Sequence, residues 1–194
     1  MASAGAVQQV NGPNVLTAIR IVVVPVFGWM LLAHGDQNGW RIATTVVFAL
    51  AILTDLVDGW WARRYNLVTD FGKIADPIAD KALTGMAFVG LSILGELHWA
   101  ITILILIREW GITVMRMVLL HRGVVLAASK GGKLKTVLQS VALVLFLWPF
   151  AAYTWGAPTL AHLGDLLSWV VMLAATAVTV ITGLDYVRAN LGRR

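Results

Sequence analysis

The chain contains no cysteine, which excludes a disulfide framework, a thiolate-bound zinc and a thiol nucleophile. Charge is also scarce: 13% of residues are Asp, Glu, Lys or Arg, where a soluble domain carries about 25%. With 59% hydrophobic residues and a mean hydropathy of +0.79, the chain is expected to be an all-α integral membrane protein. The opening MASAGAVQQVNGPN lacks the basic and apolar regions of a cleaved signal, so the first apolar run is expected to stay as a span. Neither an internal repeat nor a low-complexity linker is visible. Residues 1–194 read as one domain, with a juxtamembrane segment over 1–14.

A bilayer core asks for about 20 apolar residues per helix, and six candidate spans meet that demand: 15–33, 40–63, 76–95, 98–120, 136–153 and 160–186. Pro25 falls inside the first, where it can kink the helix and free a carbonyl. Pro77 is placed as the opener of the third.

Net charge is +5, but the position of the charges says more than their sum, and no nucleic-acid partner is expected. The junction between spans two and three holds Arg63, Arg64, Lys73 and Lys81. The next basic loop holds Arg122, Lys130, Lys133 and Lys135, and the tail holds Arg188, Arg193 and Arg194. The alternate turns contribute only Arg41. The positive-inside rule then puts both termini on the cytoplasmic side, with Trp40, Trp99 and Trp155 near the opposite interface.

Against this background, residues 54–81 stand out: TDLVDGWWARRYNLVTDFGKIADPIADK. Asp55 and Asp58 are three apart, and Asp76 and Asp80 four apart, so on helices each pair faces one way. Carboxylates at the end of an apolar segment are costly unless offset. Divalent cations held by hard oxygen ligands offset them, and a two-ion site would suit phosphoryl displacement. The bland alternative is a set of solvated loop acids, but Asp55 lies inside the hydrophobic run. The scattered histidines, 34, 98, 121 and 162, read as surface or interface residues.

Span four carries Arg108, Glu109 and Arg116. In the inward-opening topology Arg116 lies near the cytoplasmic end, with Arg108 about 12 Å deeper. Guanidinium forks suit phosphate oxygens. The alternative pairs either arginine with Glu109 inside the bundle. Lys133 and Lys135 suit a phosphate at a helix start, or only topology and anionic lipid.

The residues Asp55-x-x-Asp58-Gly59-x-x-Ala62-Arg63, then Gly72-x-x-x-Asp76-x-x-x-Asp80, resemble the signature of the CDP-alcohol phosphotransferase family, a family of six-helix membrane enzymes. The resemblance implies transfer of a phosphatidyl group from CDP-diacylglycerol to an alcohol, with release of CMP. It implies that Asp55, Asp58, Asp76 and Asp80 hold two Mg²⁺ ions, a site that Mn²⁺ also suits, with Asp80 as general base. Gly59 and Ala62 would let the cytidine nucleotide approach, Arg63 would meet its diphosphate, and Thr69 would border it. The stretches Asn11-x-Pro13-Asn14-x-x-Thr17-x-x-Arg20, REWGITVMR and ASKGGKLKT look like those of phosphatidylglycerophosphate synthases. Asn14 and Thr17 would then border the CDP-lipid. Arg108, Arg116, Lys133 and Lys135 would receive the phosphate of glycerol 3-phosphate.

The resemblance further implies a homodimer among membrane lipids, placed in a bacterial plasma membrane with its active site open to the cytoplasm. Inositol phosphate or phosphatidylglycerol as acceptor is the alternative within the same chemistry. A small ion or phosphate transporter is the alternative of another class. It predicts polar residues through the outer half, where spans three, five and six are nearly free of charge.

Overall fold

The computed structural model describes the backbone of residues 12–64, 70–121, 130–153 and 158–191. Side chains are described over 19–55, 78, 81–115, 117–118, 131–151 and 158–188. Every regular element among these residues is helical: α1 (Gly12–His34), α2 (Asn38–Arg64), α3 (Asp70–Ile93), α4 (Trp99–His121), α5 (Lys130–Leu147), α6 (Phe150–Tyr153) and α7 (Pro158–Leu191). The all-α expectation holds. Among the described residues one helix, Pro158–Arg188 within α7, is long and apolar enough to cross a membrane, and Ile19–His34 and Lys81–Ile93 are shorter apolar stretches.

Helices α1, α2, α4 and α7 match expected spans to within a few residues, and α1 continues through Pro25. Two boundaries differ. Helix α3 begins at Asp70, so Pro77 stands within it and does not open it; an acid in a first turn complements the positive end of the helix dipole. The expected span 136–153 instead begins at Lys130 and stops at Leu147, before the four-residue α6. Pro149 explains the break, because it lacks a donor and biases Trp148 away from helical geometry. Lys133 and Lys135 therefore lie inside the first turns of α5, not in a loop before it.

The chain falls into two units, Met1–Gly90 and Leu91–Arg194. In the first, α1 packs along α2, and the rings of Phe27 and Phe48 meet at 5.5 Å. Gly90 is required by a close approach: a Cβ there would lie 2.5 Å from Leu31 Cδ2, and Leu31 is fully buried with little room to swing away. The α1–α2 turn is covered by His34, stacked on Trp40 at 4.6 Å and met edge-on by Trp29.

In the second unit, α4, α5 and α6 each pack on α7. The turn into α4 closes with Gly95 at φ +75°. Its N–H donates to Ser92 O at 3.1 Å, and Glu96 N–H donates to Leu91 O at 3.0 Å, the paired bonds by which a left-handed glycine ends a helix. Ser92 and Thr102 then join their hydroxyls at 2.7 Å across the two helices.

Both units turn large apolar side chains outward, among them Val22, Leu50 and Leu53 in the first and Ile107, Leu163 and Leu173 in the second. Thr44, Thr102, Gln139 and Thr179 are buried instead.

Candidate active site

Local helix geometry sets the first group of residues. Asp55, Asp58, Gly59, Ala62 and Arg63 lie on the last turns of α2, and Asp76 and Asp80 on the first half of α3. Both acid pairs are thus on helical backbone, and residues three or four apart share a face. Of these residues, Asp55 alone has a described side chain. The side chains of Asp58, Gly59, Ala62, Arg63, Asp76 and Asp80 lie outside the described residues, as do those of Asn14 and Thr17 on α1, and Thr69 lies outside them altogether.

Asp55 is held from α1. Arg20 Nη1 donates to Asp55 Oδ1 at 2.8 Å, with the arginine side chain 5% exposed and the aspartate 36% exposed. Sequence reasoning quoted Arg20 within a motif but did not assign it to the site. The available signal was a lone cation in the apolar run of the first span. A carboxylate has two oxygens and several lone pairs, so an arginine and a metal ion can share one. The candidate donors in this region are aspartate oxygens, with no cysteine thiolate anywhere in the chain, and such hard donors fit Mg²⁺ or Mn²⁺.

The ion pair is asymmetric, and that gives a measurable expectation. Removing Asp55 takes a carboxylate contact from a buried guanidinium, whereas removing Arg20 leaves a carboxylate that water can reach. Asp55→Ala should therefore destabilise the protein more than Arg20→Met, by about 1–3 kcal/mol, the scale of a hydrogen bond to a charged group lost on the buried side of the pair. Thermal unfolding in detergent without added divalent cation measures this, and the reverse order would refute it.

A second polar group lies within the second unit, where α4, α5 and α7 bring Arg108, Glu109, Lys135, Gln139, Thr179 and Thr182 together. Glu109 Oε1 is the hub. It accepts from Lys135 Nζ, from Arg108 Nη1 at 3.3 Å and from Gln139 Nε2 at 3.5 Å. Arg108 Nη2 donates to Thr182 Oγ1 at 2.9 Å, and Gln139 Nε2 to Thr179 Oγ1 at 2.9 Å. The Arg108, Glu109 and Lys135 side chains are 15%, 12% and 7% exposed.

Of the four cations expected at an acceptor phosphate, Arg108 and Lys135 are thus joined through Glu109. Lys133 is exposed on α5, because helix positions two apart point to different sides. Arg116 is on α4 with its side chain outside the described residues. Sequence position alone offers Glu109 as a partner for an arginine and gives no sign of the lysine and glutamine it also meets. Gln139, Thr179 and Thr182 are not marked by the sequence, since uncharged polar residues scattered through apolar spans carry no signal of their own.

Comparison with known proteins places the whole chain. Residues 10–181 match the family model described as CDP-alcohol phosphatidyltransferase. The chain is 46% identical over 189 residues to the probable phosphatidylglycerophosphate synthase of Mycobacterium tuberculosis strain H37Rv, covering 97% of this chain and 85% of that one. It is 36% identical to the CDP-diacylglycerol–glycerol-3-phosphate 3-phosphatidyltransferase of Bacillus subtilis, covering 93% of this chain and 95% of the relative. The protein of that same name in Rickettsia typhi is 37% identical, with 92% and 96% covered.

Proposed function

The chain belongs to the CDP-alcohol phosphatidyltransferase family, and on that footing we infer that it moves a phosphatidyl group from CDP-diacylglycerol to glycerol 3-phosphate, giving phosphatidylglycerophosphate and CMP. The observation that carries the acceptor is the 46% identity to a probable phosphatidylglycerophosphate synthase across nearly the whole chain. The family model runs through both structural units, which supports treating them as one catalytic domain.

Each residue then has a chemical task. Asp55, Asp58, Asp76 and Asp80 present hard oxygens to divalent cations, Mg²⁺ in the first instance and two in number. When bound, these ions supply charge stabilisation at the attacking and leaving oxygens. Asp80 takes the proton of the acceptor hydroxyl. That oxygen forms a bond to the lipid-side phosphorus while the bond from phosphorus to the bridging diphosphate oxygen breaks, and CMP leaves with the electron pair. Gly59 and Ala62 leave room for the nucleotide, Arg63 faces its diphosphate, and Asn14, Thr17 and Thr69 border it. Arg108, Arg116, Lys133 and Lys135 supply positive charge for the acceptor phosphate, Arg108 and Lys135 within the Glu109 network and Lys133 from the outer side of α5.

The outward apolar side chains in both units support membrane burial. The Lys and Arg asymmetry supports six spans with both termini and the aspartates on the cytoplasmic side of a bacterial plasma membrane. We take the enzyme to be a homodimer, as the family resemblance implies.

Purified protein in detergent, given Mg²⁺ and CDP-diacylglycerol, should release CMP with glycerol 3-phosphate and not with inositol phosphate, phosphatidylglycerol or serine. Release with another acceptor would keep the chemistry and overturn the acceptor. No release with any would overturn the reading.

A further inference from the structure

We propose that Thr182 and Gly183 on α7, with Glu109 on α4, are positioning residues that aim the Arg108 guanidinium and so set the affinity for a phosphorylated acceptor. The proposal rests on the reading of Arg108 as an acceptor-phosphate contact and adds the residues that give it direction.

The geometry around Arg108 is built from three sides. Glu109 takes Nη1 at 3.3 Å and Thr182 takes Nη2 at 2.9 Å, so both terminal nitrogens are fixed. The Thr182 hydroxyl has one proton, and it goes to the carbonyl of Val178 at 2.7 Å. Its lone pairs are therefore left for Arg108, which makes Thr182 an obligate acceptor at this position. Gly183 forms the floor. A Cβ at residue 183 would lie 3.0 Å from Arg108 Cγ and 3.4 Å from Nε, so any larger residue pushes the arginine stem off its track.

The arrangement is not satisfied internally. Arg108 Nε is buried and makes no hydrogen bond, although buried donors are nearly always paired. A guanidinium held at both terminal nitrogens, and carrying donor capacity its neighbours do not use up, is pre-organised for an oxyanion at its exposed part, because little rotamer entropy is left to lose on binding. Structural duty alone would be expected to leave Nε paired. The ligand chemistry this fits is a phosphate monoester, with glycerol 3-phosphate as the case at hand.

The test uses the full-length protein and steady-state CMP release, with glycerol 3-phosphate and CDP-diacylglycerol varied separately. Arg108→Ala and Thr182→Val should each raise KM for glycerol 3-phosphate about tenfold or more, the scale of one hydrogen bond to a charged group. KM for CDP-diacylglycerol should stay unchanged. Thr182→Ser keeps the hydroxyl and should restore the acceptor KM. Gly183→Ala should repeat the acceptor-only effect through steric displacement, and it carries the test if Thr182→Val does not fold. Thr176→Val removes another α7 hydroxyl, one bonded back to Met172 O at 2.8 Å, and serves as the control expected to match wild type.

If Arg108→Ala raises the acceptor KM while Thr182→Val and Gly183→Ala match wild type, the positioning inference is overturned and the acceptor reading stands. If Arg108→Ala leaves the acceptor KM unchanged, both fall. A rise in both KM values together, shared by Thr176→Val, would reduce Thr182 to helix packing and also overturn the inference.

Discussion

Asp80→Asn should abolish CMP release while the protein remains folded and still binds CDP-diacylglycerol. The substitution keeps the size of the side chain and one carbonyl oxygen. It removes the negative charge and the basic site that takes the acceptor proton. General-base assistance contributes about 10²–10⁴-fold, and a weakened metal ligand adds to that loss, so a fall of at least about 10³-fold is expected. Single-turnover CMP release and equilibrium binding of CDP-diacylglycerol, measured on the same preparation, separate chemistry from binding. Activity within about tenfold of wild type would remove Asp80 from the base role. Loss of nucleotide binding along with turnover would instead make it chiefly a metal ligand.

The second large effect concerns stability. Glu109→Ala should destabilise the protein by about 3–5 kcal/mol, because truncating one partner of a buried ion pair leaves the other charge uncompensated. Lys135, with 7% of its side chain exposed, would lose its carboxylate, and Arg108 would lose one of its two fixed contacts. The informative comparison is the double variant Glu109→Gln with Lys135→Met. Removing both members of a buried pair is often nearly neutral, so most of the lost stability should return. Thermal unfolding in detergent measures both variants. A double variant no more stable than Glu109→Ala would show that the network is held chiefly through Arg108, Gln139 and the α7 threonines.

The start of α5 shows where a reading of residues along the chain runs out. LysGlyGlyLysLeuLys is polar and carries two glycines, the composition of a loop, yet the helix begins at Lys130. One of its glycines is accommodated by packing: a Cβ on Gly131 would lie 2.7 Å from Thr182 Cγ2, so a missing side chain is what lets α5 approach α7. That contact joins residues 51 apart in sequence (182 − 131), and helix propensity says nothing about it. By contrast, Trp148–Pro149 ends α5 through its own backbone chemistry, and that stop could have been read from the residues themselves.

The aspartate pairs, their helical register and the expectation of an all-helical membrane chain follow from neighbours in sequence. Spacing of three or four, low charge and runs of apolar residues act through local backbone geometry and transfer into lipid, and neither needs a tertiary contact. The choice of which cation meets which acid belongs to the packed structure. Arg20 reaches Asp55 from another helix, Lys135 reaches Glu109 across 26 residues, and Arg108 reaches Thr182 across 74. Burial makes such pairings specific, because a charge removed from water must find its partner wherever helix packing puts one.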